Sequence, residues 1–335
     1  MNKKIIITLG PSTINKNILR KLKNYKIALF RINLSHTKVK DLPKILAKLK
    51  KEKISPVCID TEGAQIRTFG VKKKKYIKGE KVIITNLKKQ LNKKNHINLY
   101  PSIPLSELKK NTEILIGFEN LKVKILSSNK NFLEAKVIES GIIEDNKGVH
   151  IINREVKLNP LTSKDIESIK IAKKFNIKNF ALSFANDLNS IKEIKKYISK
   201  NDSLICKIET RKGFINRKEI IDSSNAILID RGDLSRYISV EKIPIAQKIL
   251  SQDTTKKRTQ LFIATNLLET MITVKNPTRA ESNDIYNSLN DGADGLVLAA
   301  ETAIGKYPID CIKFLHKCIK SFIISKTKTD NLFEQ

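Results

Sequence analysis

Along the chain, short runs dense in Ile, Val, Leu and Phe alternate with longer segments in which Ile or Leu recurs at helical spacing and lysines take the other side. A run of four to seven such residues bounded by Gly, Pro, Asn or Asp reads as a strand, and the 3.6-residue period as an amphipathic helix. Eight runs fit the strand pattern: Lys4–Thr8, Ile27–Asn33, Pro56–Asp60, Asn179–Phe184, Leu204–Glu209, Ala226–Asp230, Leu261–Thr265 and Gly295–Leu298. Near-continuous apolar strands separated by helices predict a parallel sheet covered on both faces. The spacing is regular, since Leu9, Ser35 and Asp60 near three strand ends lie 26 and 25 residues apart, and Phe184, Glu209 and Asp233 lie 25 and 24 apart. Eight units of this length predict an α/β protein built as a (β/α)8 TIM barrel. A doubly wound sheet is the alternative, and it accommodates eight units with one interruption less well.

The interruption lies between Asp60 and Phe184, 124 residues apart, which leaves about 100 residues beyond one unit. Within it Lys81–Thr85, Glu113–Ile116, Val123–Ser127 and Phe132–Ile138 are β-like pieces broken by Asn-rich turns, and Leu158–Lys173 reads as the delayed third helix. The expected organisation is therefore a barrel of residues 1–69 and 158–326, a small all-β domain of residues 70–157 inserted after strand 3, and a C-terminal tail, 327–335.

Composition narrows the function classes. The 335 residues carry 64 basic and 34 acidic side chains, a net charge of +30, which raises the question of a nucleic-acid partner. Lysine supplies 54 of the 64 and arginine only 10, a bias that spreads over every solvated face, whereas a nucleic-acid site gathers arginines and aromatics. Nucleic acid is thus not an expected partner, and the field serves to steer anionic substrates. The densest basic run, Lys72 to Lys75, reads as a solvated turn. Cys58, Cys206, Cys311 and Cys318 show no C-x-x-C spacing, so neither disulfides nor structural zinc are expected, and a reducing cytoplasm is. Apolar runs stay short of the ~18 residues of a membrane span and no signal peptide is legible, so a soluble protein without a membrane partner is expected.

In a barrel of this kind the chemistry collects at the C-terminal strand ends. Side chains alternate along a strand, which puts Arg31, Asn33 and Ser35 on one face of the second and Lys207 and Glu209 on one face of the fifth. A lysine within an apolar strand is costly unless paired. The next strand ends in Asp230-Arg-Gly-Asp233, bringing a second carboxylate beside Glu209. Two hard oxygen ligands near a lysine suit Mg2+ shared with a phosphorylated substrate, although a purely structural ion network has the same pattern. Gly232 leaves backbone N–H groups open to an anion, and Asp60-Thr61 adds oxygen ligands to the rim. Arg31, Lys207 and Arg67 supply the positive charge that phosphoryl transfer needs. None of the 12 glycines stands in P-loop spacing, which excludes the P-loop NTPases.

These residues fall within motifs that resemble the pyruvate kinase family over almost the whole chain. Lys4-Ile-Ile-Ile-Thr-Leu-Gly-Pro-Ser12 is similar to that family's opening strand, Arg31-Ile-Asn-Leu-Ser-His36 to its R-x-N-x-S-H segment, and Asp60-Thr-Glu-Gly-Ala-Gln-Ile-Arg-Thr68 to its D-T-K-G-P-E-I-R-T. Lys207-Ile-Glu209, Arg231-Gly-Asp-Leu234, Pro277-Thr-Arg-Ala-Glu281 and Glu301-Thr-Ala-Ile-Gly-Lys-Tyr-Pro308 follow in order. The resemblance implies transfer of phosphate from phosphoenolpyruvate to ADP, giving pyruvate and ATP, on a barrel whose insertion is a lid. It implies Glu209 and Asp233 as Mg2+ ligands and Lys207 as the group that stabilises the transferring phosphoryl. Arg31, Lys207, the Gly232 backbone, Asp233 and Thr265 are implied as substrate contacts, with Thr265 organising a proton donor. Asn33, Ser35, Asp60 and Thr61 match a site for K+, and Arg67, Lys147 and His36 match nucleotide contacts.

The chain also departs from the pattern. Glu62 stands where the family has Lys and Gln65 where K+-dependent members have Glu, so the need for K+ stays open. Gly117-Phe118-Glu119-Asn120 replaces an Asp-Asp-Gly turn, Ala185-Asn186 replaces an arginine, and Ala299-Ala300 replaces Ser-Gly. The sequence stops at Gln335 where the family continues into a C-terminal domain, so sugar-phosphate regulation is not expected and the assembly is open between monomer and homo-oligomer. The rival readings are a barrel enzyme acting on another phosphorylated enol acid, and a non-catalytic anion- or nucleic-acid-binding protein on the same scaffold.

Overall fold

The computed structural model describes residues 3–86, 95–117, 121–154 and 156–326, which leaves the tail 327–335 and most of the 117–120 turn outside the described residues. The chain divides into two compact units, Met1–Gly63 with Pro160–Gln335, and Ala64–Asn159.

The first unit is a closed barrel of eight parallel strands: β1 (Lys4–Leu9), β2 (Leu29–Asn33), β3 (Val57–Asp60), β4 (Asn179–Leu182), β5 (Ser203–Ile208), β6 (Ala226–Asp230), β7 (Gln260–Ala264) and β8 (Gly295–Leu298). Each strand pairs with its sequence neighbours and β1 pairs with β8, opposing Lys4 to Gly295 and Ile6 to Val297. Helices such as Lys16–Leu22, Leu42–Lys51, Ser163–Lys174 and Pro308–Ser325 form the outer wall.

The period of two along each strand divides the apolar residues between two cores. Ile6, Cys58, Ala181, Ile205, Leu228, Phe262 and Val297 fill the barrel interior. Their neighbours Ile5, Ile7, Phe30, Ile59, Phe180 and Leu182 lie in the larger core that includes the helix residues Leu19, Leu46 and Leu315. One step beyond the interior layer, toward the strand C-termini, the same alternation places Thr8, Arg31, Asp60, Ser183, Lys207 and Asp230. The barrel thus closes on an apolar layer and carries a polar one above it.

The second unit closes a smaller barrel, in the order Phe132–Glu139, Lys81–Thr85, His96–Tyr100, Ile66–Thr68, Gly148–Ile151, Glu113–Ile116, Leu121–Ser128, beside a two-stranded sheet of Lys74–Tyr76 and Gly141–Ile143. Its interior is apolar, with Ile84, Ile97, Ile114, Val123, Ile125 and Leu133 fully buried. The unit begins at residue 64 where the sequence pointed to 70, because Ile66–Thr68 pairs with both Leu99–Tyr100 and Gly148–Val149 and so belongs to this sheet. The basic run is not only a solvated turn: Lys74 starts a strand, its ammonium 4.3 Å above the Tyr76 ring, and Lys73 pairs with Glu144 at 2.7 Å.

All four cysteines are free. Burial pushes the Cys206 thiol up to about 12, which leaves it protonated and inert. Among the described residues no helix is long and apolar enough to cross a membrane.

Candidate active site at the C-terminal rim of the barrel

Lys207, the last inward-facing residue of β5, is buried at 4% exposure with its charge intact. Its Nζ stands 2.9 Å from Glu209 Oε1, 3.3 Å from Asp60 Oδ2 and 4.0 Å from Asp230 Oδ2, and donates to Ser183 Oγ at 3.0 Å. Burial alone lowers an ammonium pKa, but Asp60, Glu209 and Asp230 outweigh it and hold Lys207 above its ordinary value. Arg31, also buried, pairs with Asp60 Oδ2 at 3.2 Å through NH1 and donates from Nε to Thr8 Oγ1 at 3.0 Å. NH1 makes no hydrogen bond beyond that ion pair, so the guanidinium keeps donor capacity for an anion.

Three carboxylates converge beside this pair. One oxygen each of Glu209, Asp230 and Asp233 lies within 4.8 Å of the others. Glu209 follows β5, and its Oε2 accepts the Phe184 N–H at 2.6 Å, a donor presented by the left-handed turn at Phe184 (φ 52°) that ends β4. Its Oε1 is buried and held by the Lys207 ammonium at 2.9 Å. Burial pushes the Glu209 carboxyl up to about 8, Lys207 opposes this, and Asp233 and Asp230 push the same way as burial. Asp230 is also pushed up by burial, but Lys207 and the Thr265 hydroxyl hold it below the usual range. A buried carboxylate beside two further carboxylates is a donor set that fits a divalent cation, and an all-oxygen set fits Mg2+.

Asp233 lies on the single helical turn Arg231–Leu234 that follows β6, with Gly232 inside it. A Cβ at Gly232 would stand 2.9 Å from Thr265 Cγ2, so this position admits only glycine without displacement. Thr265, directly after β7, has φ 78°, an uncommon conformation for a β-branched residue, and Asn266 follows at φ 57°. The Thr265 hydroxyl donates to Asp230 Oδ1 rather than capping a helix, and its carbonyl accepts from Arg231 Nε and NH2 at 3.1 and 2.6 Å. Arg231 is braced in turn by Asp284 at 2.8 Å.

The residues expected to hold K+ are differently arranged. Asn33 and Asp60 face one another on β2 and β3. Thr61 Oγ1 accepts the Ser183 N–H at 2.9 Å. Ser35, however, is not on the strand: β2 ends at Asn33, whose side chain caps the turn Leu34–His36 by accepting the Ser35 N–H at 2.9 Å. Alternation therefore does not carry to Ser35. Glu62 is ion-paired with Lys164 at 2.7 Å. His36 is exposed at the end of that turn. Arg67 and Lys147 belong to the second unit, where Arg67 pairs with Gly148 across the sheet and donates to Asn146 O at 3.2 Å, and Lys147 pairs with Glu144 at 3.0 Å.

Asp230 as a third cradle carboxylate, Ser183 as acceptor for Lys207, and Arg231 as the clamp on Thr265 were not among the expected site residues. The first two had a signal, being the next inward positions after Leu228 and Ala181. Arg231 stood within a quoted motif, but its role as a clamp had no signal, because its partner Asp284 lies on a helix 53 residues away.

A closed (β/α)8 barrel with a buried lysine and arginine beside three carboxylates at its C-terminal strand ends is the architecture of a barrel enzyme. A family model described as "Pyruvate kinase, barrel domain" matches residues 1–312. The chain is 34% identical over 333 residues to the pyruvate kinase of Thermotoga maritima, covering 95% of this chain and 70% of that protein. It is 36% identical over 323 residues to the pyruvate kinase of Methanocaldococcus jannaschii, covering 95% and 68%. The chain belongs to the pyruvate kinase family and is a phosphotransferase. Members of the family generally use Mg2+ and K+, with phosphoenolpyruvate and ADP as substrates.

Proposed function

We propose that this enzyme transfers the phosphoryl group of phosphoenolpyruvate to ADP in an Mg2+-dependent step of glycolysis, giving pyruvate and ATP. The observation that carries the reading is the pairing of Lys207 with Glu209 at 2.9 Å beside the three-carboxylate cradle. In the reaction the bond from phosphorus to the enol oxygen breaks and one to a β-phosphate oxygen of ADP forms. The enolate left behind takes a proton at its methylene carbon. Such a transfer needs charge and positioning more than covalent help.

Lys207 faces the transferring phosphoryl with a charge fixed by its carboxylate neighbours, and Arg31 offers NH1 to a substrate oxygen. Glu209 and Asp233 hold Mg2+, with Asp230 as the added carboxylate. When bound, the metal supplies positive charge that offsets the phosphoryl and enolate oxygens. Gly232 gives the substrate close access to backbone N–H groups, and Thr265, held by Asp230 and Arg231, organises the proton donor. Asn33, Asp60 and Thr61, with Ser35, are the candidate K+ ligands: amide and hydroxyl oxygens that accept one hydrogen bond keep a second lone pair. For the nucleotide, Arg67, Lys147 and His36 are the candidate contacts, supported by the motifs that contain them. Four free cysteines support a reducing compartment, the cytoplasm.

The test is pyruvate release from phosphoenolpyruvate and ADP with Mg2+, with and without K+, beside a Lys207→Ala protein. Turnover that falls at least ~1,000-fold in the variant is expected. A folded protein that binds Mg2+ but releases no pyruvate above the variant overturns the reading. Glu209→Ala is expected to weaken Mg2+ binding at least tenfold by calorimetry, and unchanged affinity removes the ligand assignment.

A further inference from the structure

The basic residues are not spread evenly over the barrel. Residues 16–53 carry thirteen basic and two acidic side chains, whereas residues 201–300 carry fourteen and thirteen. The excess falls on two neighbouring helices of the outer wall, Lys16–Leu22 and Leu42–Lys51. On the first, Lys16, Arg20 and Lys23 are spaced i, i+4, i+7. On the second, Lys44, Lys48 and Lys51 repeat the spacing, so each set forms one stripe. The helices lie side by side, because Arg20 reaches Glu52 just past the second helix at 3.9 Å and Lys48 Nζ donates to Ile14 O just before the first at 2.8 Å. Lys16, Lys23, Lys44 and Lys51 are exposed and have no ion-pair or hydrogen-bond partner among the described residues.

From this geometry we propose that the basic face carried by these two helices binds the phosphate backbone of a nucleic-acid strand without regard to sequence. Each stripe spans about 10 Å, the length of roughly three phosphates at the ~3.4 Å axial spacing of one strand. Lysine is a compact point charge suited to isolated phosphates, while the near absence of arginine and aromatics from this face removes base readout and stacking. The scarcity that weighs against a sequence-reading nucleic-acid site confines binding here to the phosphate backbone. A membrane surface is the weaker partner, since a helix lying in lipid buries large apolar side chains, and none of the exposed large hydrophobics lies on either helix.

The test is the anisotropy of a fluorescent 20-nucleotide oligo(U) RNA titrated with the full chain between 50 and 200 mM KCl. About six phosphate contacts predict a slope of log K against log[KCl] near −4. Replacing Lys16, Lys23, Lys44 and Lys51 together by Gln is expected to weaken binding at 50 mM KCl at least tenfold and to reduce the slope by about 3. The same four-charge change at Lys218, Lys248, Lys256 and Lys275 is the control and is expected to leave the slope within about 1 of the parent. Phosphotransferase turnover should be unchanged in both variants, which separates this site from the rim. Equal weakening by the two variants, or no RNA binding at 50 mM KCl, overturns the proposal. So does binding to phosphatidylserine vesicles through this face with none to RNA, which would mark a membrane face.

Discussion

The two units of this chain differ in the charge they bury. The first buries Asp60, Glu62, Asp165, Asp202, Glu209, Glu281 and Glu301, together with Arg31 and Lys207. The second, among its described residues, buries no carboxylate, and its buried polar side chains are Thr68, Thr85 and Asn98. Closing a sheet therefore needs no buried charge: Ile114, Val123 and Ile125 suffice inside the smaller barrel. Buried ion pairs give little net stability, and apolar residues of similar volume often do better. The charged layer above the apolar interior of the first barrel is kept for what it binds.

Lys207→Met should sharpen this contrast most. It leaves Asp60, Glu209 and Asp230 crowded with less opposing charge, and metal-free protein at pH 7 is expected to lose about 3–5 kcal/mol in urea denaturation. A loss below about 1 kcal/mol would mean that the rim tolerates naked carboxylates and would break the contrast.

Ile114→Ala, in the second barrel, is expected to cost about 3 kcal/mol through the cavity it opens. Among the described residues no carboxylate or histidine is buried in that interior, and burial raises the Tyr76 phenol above its ordinary value, so the loss should be the same at pH 5 and pH 8. A loss that varies with pH would show that the apolar barrel hides a titrating group.

The smallest effect is Glu281→Gln. Glu281 accepts from the N–H and hydroxyl of both Thr270 and Thr278, closing the capping box of helix Arg279–Asn290. Burial pushes its carboxyl up, but these donors outweigh it and hold it below the usual carboxylate range. Its stabilisation is therefore complete above the unfolded pKa and lost as pH falls through the lower folded one. The glutamine variant should lose about 1 kcal/mol at pH 7 and show a flatter acid limb. An acid limb as steep as the parent's would place the acid sensitivity elsewhere.

The eight strands were legible because each is apolar on both faces and bounded by turn residues, as in Ile5-Ile-Ile and Ala226-Ile-Leu-Ile. The short strands Ile66–Thr68, Lys74–Tyr76 and Gly141–Ile143 were not, since three residues carry too little periodicity and their pairing is set by distant partners. At the site, Lys207 and Glu209 were legible as an apolar strand interrupted by charge. Ser35 was misplaced because alternation fails where a strand ends in a helical turn, and Arg231 was invisible because its role depends on Thr265 and Asp284.

Local pattern thus determined what is periodic: the strand count, the 25-residue unit, the place of the insertion and the polar position that ends each strand. Tertiary structure decided what depends on closure. Bringing β3, β4, β5 and β6 side by side is what sets Asp60, Ser183, Lys207 and Asp230 within reach of one another, though residues 60 and 230 are far apart in the chain. It also brought the lysine-rich helices Lys16–Leu22 and Leu42–Lys51 side by side. Periodicity is a property of near neighbours and can be read along the chain, whereas charge convergence is a property of the closed sheet.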